Sequence, residues 1–213
     1  MPQPSPRPLS APDLLALVDE GVEVLDLRSG PEWAASHLRG SIFIGMSPQF
    51  PAWAERLLDR SRPWAVIAPA GQGELALQGL ASVGFGDLRG HLEGGFDALV
   101  GHPERLATTE RVDHERLAAE LDSATPPVLI DVREVPEWQG GRIGSAPNLP
   151  LTQLAERVAE VPADGRVILH CQGGYRSLIA ASLCERAGRE GLVDMEGGFG
   201  AWAQAGRPVS PAG

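Results

Sequence analysis

Residues 22–33, VEVLDLRSGPEW, return as PVLIDVREVPEW at 127–138. Asp26, Arg28, Glu32 and Trp33 then fall on Asp131, Arg133, Glu137 and Trp138. Two more segments return in the same order. RPWAVIAPAGQGELALQGLASVGF (62–85) falls on GRVILHCQGGYRSLIAASLCERAG (165–188), and LEGGFDAL (92–99) on MEGGFGAW (195–202). Three ordered matches restrict a chain of 213 residues to two copies of one fold, each able to bury its own core. The polar stretch GHPERLATTERVD (101–113) carries the expected boundary. The domains are expected over 1–105 and 106–213.

Each half alternates short apolar runs with helical patterns. In the second half VLID (128–131), VILH (167–170) and LVDM (192–195) read as strands. Asp113 is placed to cap HERLAAEL, and Thr152 to cap QLAERVAEV. Apolar spacing predicts a helix over Ser177–Ala187, with Gly188 at the position after its end. Continuous apolar strands separated by helices predict an α/β fold, a parallel sheet in each domain covered by helices on both faces. Ligands of such sheets bind beyond the carboxyl ends of the strands, and Cys171 sits at such an end.

Cys171 is followed by Gln172, Gly173, Gly174, Tyr175, Arg176 and Ser177, and then by the helix. The glycines let the backbone curl with its N–H groups inward. The helix start adds partial positive charge and Arg176 a full one. A cysteine in such a ring is held toward the thiolate, the nucleophilic form. The plain alternative is a structural cysteine at a strand end, with the glycines serving only the turn.

Charge and composition narrow the function. A net charge of −10, with arginines that form no stripe, argues against nucleic acid or an anionic membrane as partner. The start, MPQPSPRPLSAPD, has no apolar leader core, and no apolar run approaches the roughly 18 residues of a membrane helix. A cytoplasmic location is the expectation. Two cysteines are too few for a disulfide framework, and His170 beside Cys171 is not a zinc spacing, so neither a metal nor a cofactor is expected.

The second half resembles the rhodanese (sulfurtransferase) family. DVREVPEW (131–138), GRIGSAPNLPL (141–151), HCQGGYRS (170–177) and MEGGFGAWAQAGRPV (195–209) carry the resemblance. Arg142-Ile143-Gly144-Ser145-Ala146 departs from the family's His-Ile-Pro-Gly-Ala turn, whereas His37 and Gly40 in the first half keep its histidine and glycine. The resemblance implies two rhodanese-like domains and a cysteine persulfide on Cys171. Backbone N–H groups from Gln172 to Ser177 would hold the outer sulfur, and Arg176 would hold the donor anion. The donor would be thiosulfate or a low-molecular persulfide such as glutathione persulfide, since Cys-x-Gly-Gly-Tyr-Arg-Ser resembles loops of rhodanese domains fused to persulfide dioxygenases. Cyanide or a thiol would accept the sulfur. Related cysteine phosphatases place five residues between Cys and Arg where this chain has four, a ring suited to one sulfur atom. The other reading is a binding module that carries sulfur or docks a partner without turnover.

The first half looks like a degenerate copy. Laid on the loop, Ala70 takes the place of the nucleophile, Leu75 that of the arginine, and Glu74 adds a negative charge. Its expected job is packing against the second domain and shaping a cleft. Among other residues, Asp131 is expected at the strand end, where it helps orient the loop, and Arg133 is expected to pair with Glu137. Tyr175 contacts the donor or caps a pocket. Cys184, Trp138 and Trp202 read as packing residues, and Glu196-Gly197-Gly198-Phe199 as a turn near the site. His170 should face away from Cys171, because neighbouring strand residues point to opposite faces.

Overall fold

The computed structural model describes residues 7–211. The first part of the stretch read above for a leader core lies outside the described residues. The chain divides into two compact units, one running to Thr108 and the other from Thr109.

In the first unit β1 (Arg7–Leu9), α1 (Ala11–Asp19), β2 (Glu23–Asp26), α2 (Gly30–Ala35), β3 (His37–Leu38), β4 (Ile42–Phe43), α3 (Phe50–Leu57), β5 (Trp64–Ile67), α4 (Gly73–Ser82) and β6 (Leu88–Leu92) follow in order. The sheet order is β1-β6-β5-β2-β4, and every pairing in it is parallel. A last strand, β7 (Leu106–Ala107), returns to pair antiparallel with β3 and so belongs to this unit.

The second unit contains β8 (Glu110–Val112), α5 (His114–Leu121), β9 (Val128–Asp131), α6 (Val135–Gln139), α7 (Leu154–Arg157), β10 (Val167–His170), α8 (Tyr175–Arg186), β11 (Leu192–Met195) and α9 (Gly198–Gln204). Its parallel sheet is ordered β8-β11-β10-β9. The counterpart of β4 is reduced to one parallel bridge, Asp131 to Asn148. Both sheets are flanked by helices, the α/β architecture expected. Every residue of β10 is buried. A continuous apolar run suits a strand covered on both faces, where each buried aliphatic side chain contributes about 1.5–3 kcal/mol.

Local signals explain some helix ends. Asp113 caps α5 by accepting from the Arg116 N–H at 2.8 Å, and Gly188 follows α8 with φ 77°. The helix expected after Thr152 breaks up instead. It forms a 3-10 turn (Leu151–Gln153), the single turn α7, and a second 3-10 turn (Val158–Glu160). The Leu151 N–H donates to the Val132 carbonyl at 3.1 Å, which pins the segment to the end of β9. Thr152 therefore lies inside the first turn, and its hydroxyl reaches Glu134 at 3.4 Å rather than capping a helix.

Candidate active site

Cys171 follows β10 directly and is 1% exposed. Gly174 has φ 91°, a conformation that costs glycine little, and this turns its N–H onto Cys171 Sγ at 3.1 Å. Gly174 is also the N-cap of α8, so the helix starts at Tyr175, two residues earlier than its apolar spacing indicates. The Ser177 hydroxyl, in the first turn, lies 3.6 Å from the sulfur and donates to Asp194 Oδ1 at 2.5 Å. Gln172 and Gly173 are exposed at the mouth, and Tyr175 is half-buried.

The turn after β11 forms the back wall. The Phe199 N–H donates to the Cys171 carbonyl at 2.7 Å, and the Gly200 N–H to that of Gln172 at 2.9 Å. Gly198 has φ 56°, and a Cβ there would stand 2.3 Å from the Cys171 carbonyl oxygen. Glu196–Phe199 is thus a wall of the loop as well as a turn. Its recurrence as Glu93–Phe96 in the first half was the available signal.

The charged residues differ from expectation in one pairing. Arg133 and Glu137 do not pair. Arg133 is 1% exposed. It donates to Asp131 Oδ1 (3.1 Å, from Nε) and Oδ2 (2.7 Å, from Nη2) and to the Gly141 carbonyl (2.7 Å), and its guanidinium lies 4.0 Å over the Phe199 ring. It also reaches Gln172 Oε1 at 3.5 Å. Asp131 therefore meets the loop through Arg133. Glu137 points the other way and takes both Nη groups of Arg176, at 2.6 and 2.7 Å. These hydrogen bonds hold its carboxyl below the usual range. The pair follows from the N-terminus of α6, where Glu137 caps the Glu134 N–H and so faces the loop.

His170 is fully buried, 3.6 Å from Asp131 Oδ2, and burial pushes its pKa down. Cys184 lies in the core, where burial pushes its thiol up to about 12. Trp138 donates to the Ala146 carbonyl at 2.9 Å and Trp202 to that of Pro208 at 2.7 Å, as packing residues do. Arg142 lies 4.4 Å over Trp138, the place that His37 takes beside Trp33 at 3.9 Å in the first unit. The departure at that turn therefore keeps its stack.

Sequence reasoning missed Asp194 and Arg111. Asp194 is fully buried on β11, and its carboxyl is raised to about 6, chiefly by burial. Arg111 on β8 donates to it at 3.0 Å and to Glu196 at 2.9 Å. A lone aspartate inside the run LVDM was the only trace of this network.

The first unit repeats the scaffold without the thiol. Strand register aligns Ile67 with His170, through Asp26 and Asp131, so Ala68 stands where Cys171 does, not Ala70. Counted from the same strand, Gly73 replaces Arg176 and Glu74 replaces Ser177, and Leu75 lies one position further on. His91 stands where Asp194 does, and its ring nitrogen is 3.8 Å from Glu74. Ala68, Gly71, Glu74, His91 and Glu93 line a cleft of about 440 Å³ at this place.

A parallel α/β domain with a thiol in a strand–loop–helix ring, duplicated with the thiol lost in one copy, defines a class of cysteine-based fold. The chain belongs to the rhodanese family: a model of the rhodanese-like domain matches residues 10–102 and again 113–205. A sulfurtransferase of Allochromatium vinosum is 33% identical over 103 residues, 48% of this chain and 96% of that protein. An HTH-type transcriptional regulator of Mycobacterium tuberculosis, Rv0324, is 34% identical over 113 residues, 52% of this chain. The match spans only 47% of that regulator. A thiosulfate sulfurtransferase of Pseudomonas aeruginosa superposes with a TM-score of 0.44 at 24% identity, over 94% of this chain and 43% of that one.

Proposed function

We propose that the second domain is a sulfurtransferase with Cys171 as its nucleophile. The observation that carries the reading is the ring around Cys171 Sγ: the Gly174 N–H at 3.1 Å, the start of α8, and Ser177 at 3.6 Å. Inward N–H groups stabilise negative charge on sulfur without reorganising. The thiolate attacks the outer sulfur of a thiosulfate or low-molecular persulfide donor. A new S–S bond forms as the donor's S–S bond breaks, and sulfite or a thiolate leaves with the electron pair. Cyanide or a thiol then removes the outer sulfur and returns the thiolate, a two-step covalent cycle. An anionic donor reaches Arg176 by competing with Glu137 for its Nη groups. The sulfurtransferase relative supports this assignment. The first domain, with Ala68 in place of the thiol, takes no part in the chemistry.

Intact mass after incubation with thiosulfate, followed by cyanide, tests the reading. The expected result is a gain of one sulfur atom, absent in Cys171→Ser and reversed by cyanide with release of thiocyanate. No adduct from either thiosulfate or glutathione persulfide would overturn it.

A further inference from the structure

A chain of polar groups leads away from the buried thiol. Ser177 Oγ lies between Cys171 Sγ (3.6 Å) and Asp194 Oδ1 (2.5 Å). Asp194 Oδ2 meets Arg111 Nε at 3.0 Å, and Arg111 continues to Glu196, which is exposed. A serine hydroxyl has one proton to give. While Asp194 is ionised the hydroxyl donates to it and turns a lone pair toward the sulfur, ready to accept the S–H. When Asp194 is protonated it can donate to Ser177, freeing the hydroxyl to donate to a thiolate.

We propose that Asp194 is a positioning residue that accepts the Cys171 proton through the Ser177 hydroxyl. The S–H proton passes to Ser177 Oγ as the serine proton passes to the Asp194 carboxylate. The thiol and carboxylate become a thiolate and a carboxylic acid, with no net change in charge or protons. The proposal rests on the reading of Cys171 as the nucleophile and adds how it is ionised. The surroundings suit this exchange. Burial holds Asp194 near neutrality, raised to about 6, against the opposing pull of Arg111 and Ser177, with Glu196 adding to the rise. Arg176 on α8 is drawn off by Glu137. His170 on β10 faces Asp131 on β9, at 3.6 Å. Neither is placed to take the proton.

Two coupled groups lose their protons in two steps that belong to the pair. The rate of Cys171 alkylation by iodoacetamide should therefore rise with pH in two limbs. The lower limb centres near 6, so the rate at pH 7 is about ten times that at pH 5. Asp194→Asn and Ser177→Ala should each leave a single limb, whereas Ser177→Thr, which keeps the hydroxyl, should retain both. One limb in the unaltered protein, or a lower limb that survives Asp194→Asn or Ser177→Ala, would overturn the proposal. Alkylation reads the thiol without any sulfur donor. Two limbs without sulfur transfer would sink only the assignment of activity, and transfer without two limbs only the relay.

Discussion

Arg133 meets a carboxylate, a carbonyl and an aromatic face, and almost no water. Removing one partner of a buried ion pair leaves the other charge stranded, at a cost of about 3–5 kcal/mol. Asp131→Ala should lower the unfolding free energy of the second domain, measured by urea denaturation, by an amount of that order, and Asp131→Asn by less. The Asp-x-Arg pattern was legible because both halves carry it, and Arg28 repeats the geometry on Asp26 and over Phe96 at 3.6 Å. The partner of Glu137 was not legible. Four positions beyond Arg133 it looks paired by spacing, but the start of α6 turns it toward Arg176.

At the scale of elements, VLID, VILH and LVDM form strands with the bounds read from them, because a run buried on both faces leaves a continuous signature. Loops carry no such signature. Laid on the loop alone, Ala70 takes the nucleophile's place, whereas the ungapped match of 62–85 on 165–188 and the pairing of β5 with β2 both place Ala68 there. Residues 68–72 separate β5 from α4, against 171–174 between β10 and α8, so the first loop is one residue longer. Restoring a thiol alone therefore should not restore the site. Ala68→Cys in a Cys171→Ser background is expected to hold no cyanide-releasable sulfur by intact mass. The wall behind the true loop should be equally intolerant. Gly198→Ala combines a positive φ with a Cβ 2.3 Å from the Cys171 carbonyl. It should cost about 1–3 kcal/mol in thermal unfolding and displace the sulfur enough to slow its alkylation.

For the molecule as a whole, acid is the informative perturbation, since 28 acidic side chains against 18 basic ones give it a net charge of −10. In the second domain Arg166 bridges Glu110 (2.6 Å) and Glu120 (2.7 Å), and both carboxyls are lowered, first by their hydrogen bonds to Arg166. A carboxyl lowered on folding contributes stability that is fully present above its unfolded value, near 4.5, and lost as pH falls through the folded value. Arg166→Gln should therefore cost about 1 kcal/mol at pH 7, a figure scaled for partly exposed pairs, and progressively less as pH falls below 4.5 toward 3. Chemical unfolding across that range checks it, and an equal loss at both pH values would show that the pairs do not matter. The duplication itself has a consequence of capacity. Of the two sulfhydryls in the sequence, one is sealed in the core and the other directly follows β10. With Cys171 as the sulfur carrier proposed above, doubling the fold would not double the load. Each molecule would ferry one atom per trip, output would scale with the number of chains and not of domains, and a recipient needing two sulfurs would have to be visited twice.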